Sequence, residues 1–229
     1  SIVARFQREC RLCLSFDHAN IIKVYEVGEH GDGAFMVMEY LPLGGIDRLL
    51  GDPRLTSCMT LAVMRQTAEA LAYIHARNVV HRDVKLSNIL ISQWPEESET
   101  DKGKIRVKLS DFGLSKELSV EGLTKTGTRM GTDFYAAPEQ RESPRDVDHR
   151  ADIYSMGVAI YRIISGTGYP EGDYPALHEL NSDVPGELDS LVQMCLKVDP
   201  AQRYESAQGL AGELREFEDR VCGATPHAM

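Results

Sequence analysis

Apolar positions change period several times along the chain, and each change marks an element. Phe6, Cys10, Cys13 and Leu14 recur at helical spacing and end near the turn-forming run Asp17-His18-Ala19-Asn20. Residues 21–30 (IIKVYEVGEH) and 34–41 (AFMVMEYL) read as two strands joined by the tight turn His30-Gly31-Asp32-Gly33. A short helix is expected at 45–50 (GIDRLL), and Leu61, Met64, Ala68, Leu71 and Ile74 mark one face of a long amphipathic helix over 61–75. Short strands follow at 89–91 and 107–109. Between them the polar run 94–104 (WPEESETDKGK) reads as a solvated loop, with Trp94 as a local packing anchor. Residues 111–139 lack periodicity and are rich in Gly and Thr, so loop is expected there. Residues 152–165 (DIYSMGVAIYRIIS) are apolar almost all round, the pattern of a helix buried inside a domain. Two further helices are expected around 188–197 and 210–221.

Composition narrows the function class without naming it. A chain of 229 residues with 42% hydrophobic content can bury one large core or two small ones. The net charge of −10 argues against a nucleic-acid surface, which needs clustered Lys and Arg. No apolar run approaches about 18 residues, so no membrane span is expected. The chain opens Ser-Ile-Val-Ala-Arg-Phe without an initiator Met, which fits processing or truncation of a longer start. Cys10 and Cys13 form a lone C-x-x-C with no second pair, inside a helical run, and read as core residues rather than a redox pair or half a metal site. Five scattered cysteines fit a reducing compartment, and a cytoplasmic location is expected.

The chemistry concentrates in three strings: HRDVKLSN at 81–88, DFG at 111–113 and APE at 137–139. In this order they resemble the signature set of protein kinases, with H-R-D-x-K-x-x-N matched in full. The resemblance runs from residue 1 to about 220. It implies an α+β protein-kinase-like fold, with residues 1–38 a remnant of the small lobe (a helix plus two strands) and 39–229 the mainly helical large lobe. The implied reaction transfers the ATP γ-phosphate to Ser or Thr hydroxyls of a protein substrate. Phosphoryl transfer has a loose transition state, so the protein mainly positions groups and neutralises charge. By the match, Asp83 accepts or orients the proton of the attacking hydroxyl. Lys85 neutralises the transferring group, and Asn88 and Asp111 offer oxygen ligands to Mg²⁺, with Mn²⁺ as a substitute. Lys85 at this spacing, and Thr132 in GTDFYAAPE, both imply Ser/Thr rather than Tyr substrates. Asp133 departs from the common G-T-P-x-Y pattern, which bears on substrate preference.

The resemblance also assigns nucleotide contacts and scaffold. In MVMEYL, Met38 matches the gatekeeper, the backbone of Glu39 and Leu41 would bond adenine, and Leu90 would pack beneath the ring. Glu139 and Arg203 match a buried ion pair that anchors the activation segment. Asp152 matches the carboxylate that holds the catalytic-loop backbone. Cys13, Val24, His81 and Phe112 match a stacked apolar column. Arg82 before Asp83 resembles kinases whose activation-loop phosphate binds that Arg, with Thr124, Thr126 and Thr128 as acceptors.

Two departures stand out. No G-x-G-x-x-G run precedes residue 10 and no V-A-I-K-like strand supplies the phosphate lysine, so Glu9, which matches that lysine's partner, has none. About three strands of the small lobe are therefore expected to be missing, with an open hydrophobic face and weak ATP binding as consequences. A longer parent protein, a natural truncation, or a partner that covers this face would each account for it. The first is favoured because the catalytic residues are all kept. The rival function is a catalytically impaired, pseudokinase-like interaction module. Second, residues 166–184 are short and rich in turn formers, so a docking helix usual there is abbreviated. The compact loops resemble bacterial kinases of eukaryotic type.

Overall fold

The computed structural model describes residues 12–31, 33–95, 105–112, 133–143, 147–166 and 174–223. Glu9, Cys10, Thr124, Thr126, Thr128 and Thr132 lie outside them.

Two antiparallel two-stranded sheets and a set of helices share one contiguous core. β1 (Val24–His30) pairs with β2 (Gly33–Met38), with Val24 opposite Met38 and Gly28 opposite Phe35. β1 starts three residues later than the hydrophobic run suggests. Ile21 and Ile22 turn instead to the second sheet, where the Ile22 N–H donates to the Leu109 carbonyl (2.9 Å). That sheet joins β3 (Ile89–Gln93) to β4 (Arg106–Leu109), with Ile89 opposite Leu109. The β1–β2 hairpin leaves Tyr25, Phe35 and Val37 exposed.

α1 (Ser57–His75) runs four residues beyond its predicted start because Thr56 caps it, its hydroxyl accepting from the Met59 N–H (3.2 Å). Buried Gln66 ties this helix to the second sheet. Its amide oxygen accepts from Asn20 Nδ2 (2.8 Å) and the Val107 N–H (3.1 Å), and its Nε2 donates to the carbonyls of Ala62 and Ile105. α2 (Pro138–Glu142) begins at the end of the stretch expected as loop, with Pro138 at its first position. α3 (Arg150–Ser165) is buried continuously from Ala151 to Tyr161, as its all-round apolar sequence requires. Gly157 brings α3 onto α5 (Gly186–Cys195): a Cβ there would stand 2.6 Å from that of Cys195. The four-residue α4 (Leu177–Leu180) is the only helix among the described residues of 166–184. α6 (Ala207–Cys222) packs along α1. Trp94 packs against the core and takes the Arg54 guanidinium over its ring at 5.6 Å, which suits an anchor.

The cysteines require a correction. Cys13 and Cys195 are buried, and Cys58 and Cys222 form a disulfide across 164 residues. It ties the first turn of α1 to the last residue of α6. This bridge runs against the reducing compartment that five scattered cysteines suggested. The pairing is set by helix packing between distant segments, which no local spacing reveals.

Candidate active site

The β3–β4 hairpin brings the main chain at Asn88 and at Asp111 to the same end. Asn88 ends a 3₁₀ turn (Leu86–Asn88) directly before β3, and Asp111 follows β4 by two residues. Ile89 pairs with Leu109, so Asn88 and Ser110 face each other across the hairpin end. The Ser110 N–H and hydroxyl both donate to the Asn88 carbonyl, at 2.9 and 3.1 Å. Asp111 comes next, exposed and in left-handed backbone (φ 54°). Such a conformation costs about 1–2 kcal/mol for a non-glycine residue.

Asp83 is the focus of the loop before this hairpin. Lys85 Nζ donates to its Oδ2 at 2.7 Å, and Asn88 Nδ2 donates to the same oxygen at 3.1 Å and to the Asp83 carbonyl at 2.9 Å. These bonds fix the Asn88 amide so that its Oδ1 is the atom left to meet a hard cation. Among the described residues no group of three or more His, Cys, Asp or Glu could hold a metal alone. Two protein oxygens therefore suit an ion whose other ligands arrive with a phosphate, as Mg²⁺ commonly does.

Asp152, fully buried in α3, carries the loop. Its Oδ1 accepts from the Arg82 N–H (2.7 Å), and its Oδ2 from the His81 N–H (2.7 Å) and His75 Nε2 (2.8 Å). Burial works to raise its pKa, but the hydrogen bonds it accepts from His75 and from the His81 main chain outweigh it and hold the carboxyl below its ordinary value. Arg82 adopts φ 65°, so the residue before Asp83 is also left-handed.

His81 is buried and neutral by geometry. Its Nδ1 accepts from the Asp83 N–H (3.2 Å), so Nε2 carries the proton toward the Ser110 carbonyl (3.0 Å). Burial depresses its pKa, against the opposing pull of Asp152. Above about 6.5 the His81 contribution to stability is complete, and it is lost as pH falls toward the depressed folded value, because the unfolded chain takes the proton first. His18 is likewise depressed by burial and adds in the same direction. Urea denaturation from about pH 7.5 to about 5.5 is expected to show stability falling with pH, by up to about 1.4 kcal/mol per unit for buried His81, with only a small, solvent-screened addition from His18. Asp152 does not contribute in this window, since a depressed carboxylate loses its stabilisation only below about 3.9. Stability that rises on acidification would contradict the neutral assignment.

Cys13, Val24, His81 and Phe112 are all buried in the common core, and the rings of His81 and Phe112 lie 5.0 Å apart. Phe16, missed in the sequence although it follows Cys13 by one helical turn, packs on Phe112 at 5.2 Å. At the other end, Arg203 makes five N–H bonds. Two reach Glu139 (2.6 and 2.8 Å), and the others reach the carbonyls of Lys197, Arg150 and Val198.

Met38 ends β2 and packs partly against the core, as does Leu90. The Glu39 side chain is held by Lys108 Nζ (2.6 Å) and the Lys23 N–H (3.3 Å), and its own N–H donates to the Lys23 carbonyl (2.8 Å). Among the described residues no donor reaches the Glu39 carbonyl and no acceptor the Leu41 N–H. The resemblance assigns the adenine contacts to the main chain of these two residues. Sequence reasoning missed His75 and Gln140, which act on the catalytic loop through Asp152 and a main-chain carbonyl.

Residues 2–213 match the protein kinase domain family. The serine/threonine-protein kinase PknJ of Mycobacterium tuberculosis is 33% identical over 219 residues, covering 89% of this chain and 36% of PknJ. The chain thus spans about a third of the length of such curated relatives. Among solved structures, a point mutant of the Mycobacterium tuberculosis PknI kinase domain superposes with a TM-score of 0.72 at 26% identity, over 94% of this chain and 78% of that one. Rad53 1–466 in complex with AMP-PNP gives 0.70 at 25% identity, over 91% and 54%.

Proposed function

The chain belongs to the protein kinase family, and on that premise we propose that it serves to transfer the γ-phosphoryl group of ATP to serine and threonine hydroxyls of proteins. The observation that carries this reading is the convergence of Lys85 and Asn88 on one carboxylate oxygen of Asp83. Asp83 orients the acceptor hydroxyl and takes its proton. Lys85, hydrogen-bonded to that carboxylate, neutralises charge on the phosphoryl group in flight. Asn88 and Asp111 would hold Mg²⁺, or Mn²⁺ in its place. The ion, when bound, neutralises phosphate charge and aligns the γ-phosphate. The Glu39 carbonyl and Leu41 N–H bond the adenine, with Met38 and Leu90 against its ring. The AMP-PNP held by Rad53 supports an adenine nucleotide as ligand.

In the same reading, residues 1–38 form the small-lobe part and 39–229 the large lobe, with the hinge after β2. By the resemblance, Thr132 would tie the substrate-seating loop to Asp83 and Lys85. Exposed Tyr25, Phe35 and Val37 support a covering segment or partner over the β1–β2 hairpin. No helix among the described residues is long and apolar enough to cross a membrane. A supply of ATP points to the cytoplasm, whose thiol buffers would open the Cys58–Cys222 bridge. There α1 and α6 would be held by their packing and by the ion pairs of Arg65 with Glu218 and of Arg215 with Glu69.

Phosphoamino-acid analysis after incubation with Mg-ATP tests the substrate class. Phosphoserine and phosphothreonine are expected; phosphotyrosine as the main product would overturn the assignment built on Lys85.

A further inference from the structure

We infer that Gln140 is a positioning residue of the transfer site, its carboxamide fixing the main chain immediately before Asp83; this rests on the kinase reading above. Gln140 lies in α2, half-buried. Its Nε2 donates to the Arg82 carbonyl (3.1 Å), and its Oε1 accepts from the Ala137 N–H (2.9 Å). A carbonyl can only accept and an N–H can only donate, so one amide orientation satisfies both. Neither a carboxylate nor a hydrocarbon of the same length can do so.

The carbonyl that Gln140 holds belongs to the peptide group joining Arg82 to Asp83. The N–H of that same peptide donates to His81 Nδ1. The preceding peptide is gripped by Asp152 through the Arg82 N–H. Arg82, left-handed at φ 65°, therefore has its two flanking peptides fixed independently, one from α3 and one from α2. A left-handed arginine relaxes by rotating one of those peptides. Rotation of the second would swing the Asp83 Cα and its carboxylate away from Lys85 and Asn88. Gln140 opposes that rotation. The neighbouring Glu139 ties the same helical turn to Arg203. α2 thus couples the anchor of the activation segment to the geometry of the proton acceptor, a link that Asp152 does not supply.

Two substitutions in the full chain separate this role from a capping role. Gln140→Met removes both bonds at nearly constant volume. Gln140→Glu keeps an acceptor for the Ala137 N–H and loses only the donor to Arg82. Both are expected to speed hydrogen exchange at the amides of His81, Arg82 and Asp83 about tenfold, with α1 and α6 unchanged. Both are also expected to lower kcat about tenfold at constant KM for ATP. Parent-like exchange in Gln140→Glu would overturn the inference, because Gln140 would then only cap α2. Acceleration spread evenly over α1 and α6 would overturn it too, as a general loss of stability. A parent chain that transfers no phosphate contradicts the kinase reading instead, and the exchange rates still decide the role of Gln140.

Discussion

Asp83→Asn is expected to lower the rate of phosphoryl transfer by about 10² to 10⁴-fold while leaving nucleotide affinity within about twofold. The substitution is isosteric, and an amide oxygen can still accept from Lys85 Nζ and Asn88 Nδ2, which meet at Oδ2 in the parent. The lost property is the ability to take a proton from the attacking hydroxyl. Adenine and metal contacts are assigned to Met38, Glu39, Leu41, Leu90, Asn88 and Asp111, none of which changes. Transfer kinetics and a nucleotide-binding titration on the same sample separate the two effects. A parallel fall in affinity would mean that Asp83 supports the nucleotide site rather than the chemistry.

The second large effect falls on stability. Arg203→Met is expected to cost about 3–5 kcal/mol, seen as a fall in Tm of about 10 °C in a domain of this size. The Arg203 side chain is fully buried, and its fork satisfies both Glu139 oxygens together with three main-chain carbonyls. Removing the cation leaves the Glu139 carboxylate, only 22% exposed, facing those carbonyls without a counter-charge. The guanidinium also lies over the Tyr154 ring at 4.9 Å, so packing is lost with charge. The double change Arg203→Met with Glu139→Leu is expected to recover part of the loss, since no unpaired charge remains. A double variant no more stable than the single one would show that the cost lies in packing and not in the pair.

The residues assigned to catalysis are legible because they sit close together in sequence. Asp83, Lys85 and Asn88 share one loop, and the resemblance assigns each of them. The β3–β4 hairpin, readable from two short apolar runs, brings Asp111 to the same end. The ion pair of Glu139 with Arg203 and the anchoring role of Asp152 come from the resemblance, and their partners are those the structure displays. What escapes the sequence is decided by long-range or main-chain contacts. Ile21 and Ile22 continue the hydrophobic run of β1, but they pair with the second sheet because Leu109 offers a carbonyl there. The start of α1 is hidden because Thr56 acts through a cap and not through periodicity. The bridge of Cys58 to Cys222 spans most of the chain and follows from how α6 lies on α1. Gln140 is silent because its partner is a backbone carbonyl, and any residue has one of those.

His75 illustrates the same limit from another side. It is the last residue of α1, where a histidine suits the helix end on general grounds. Its Nε2 instead reaches Asp152, and through that carboxylate it acts on the peptide groups of His81 and Arg82. A helix-end residue thus belongs to the support of the active site, which only the crossing of α1 and α3 makes apparent.

The central claim is that Asp83 and its neighbours form a working phosphoryl-transfer site. Intact-mass spectrometry of the chain before and after incubation with Mg-ATP, beside Asp83→Asn, tests it most directly. Mass gains in steps of about 80 Da are expected on the parent and none on Asp83→Asn. A parent that binds Mg-ATP yet never gains mass, or equal gains on both proteins, would contradict it.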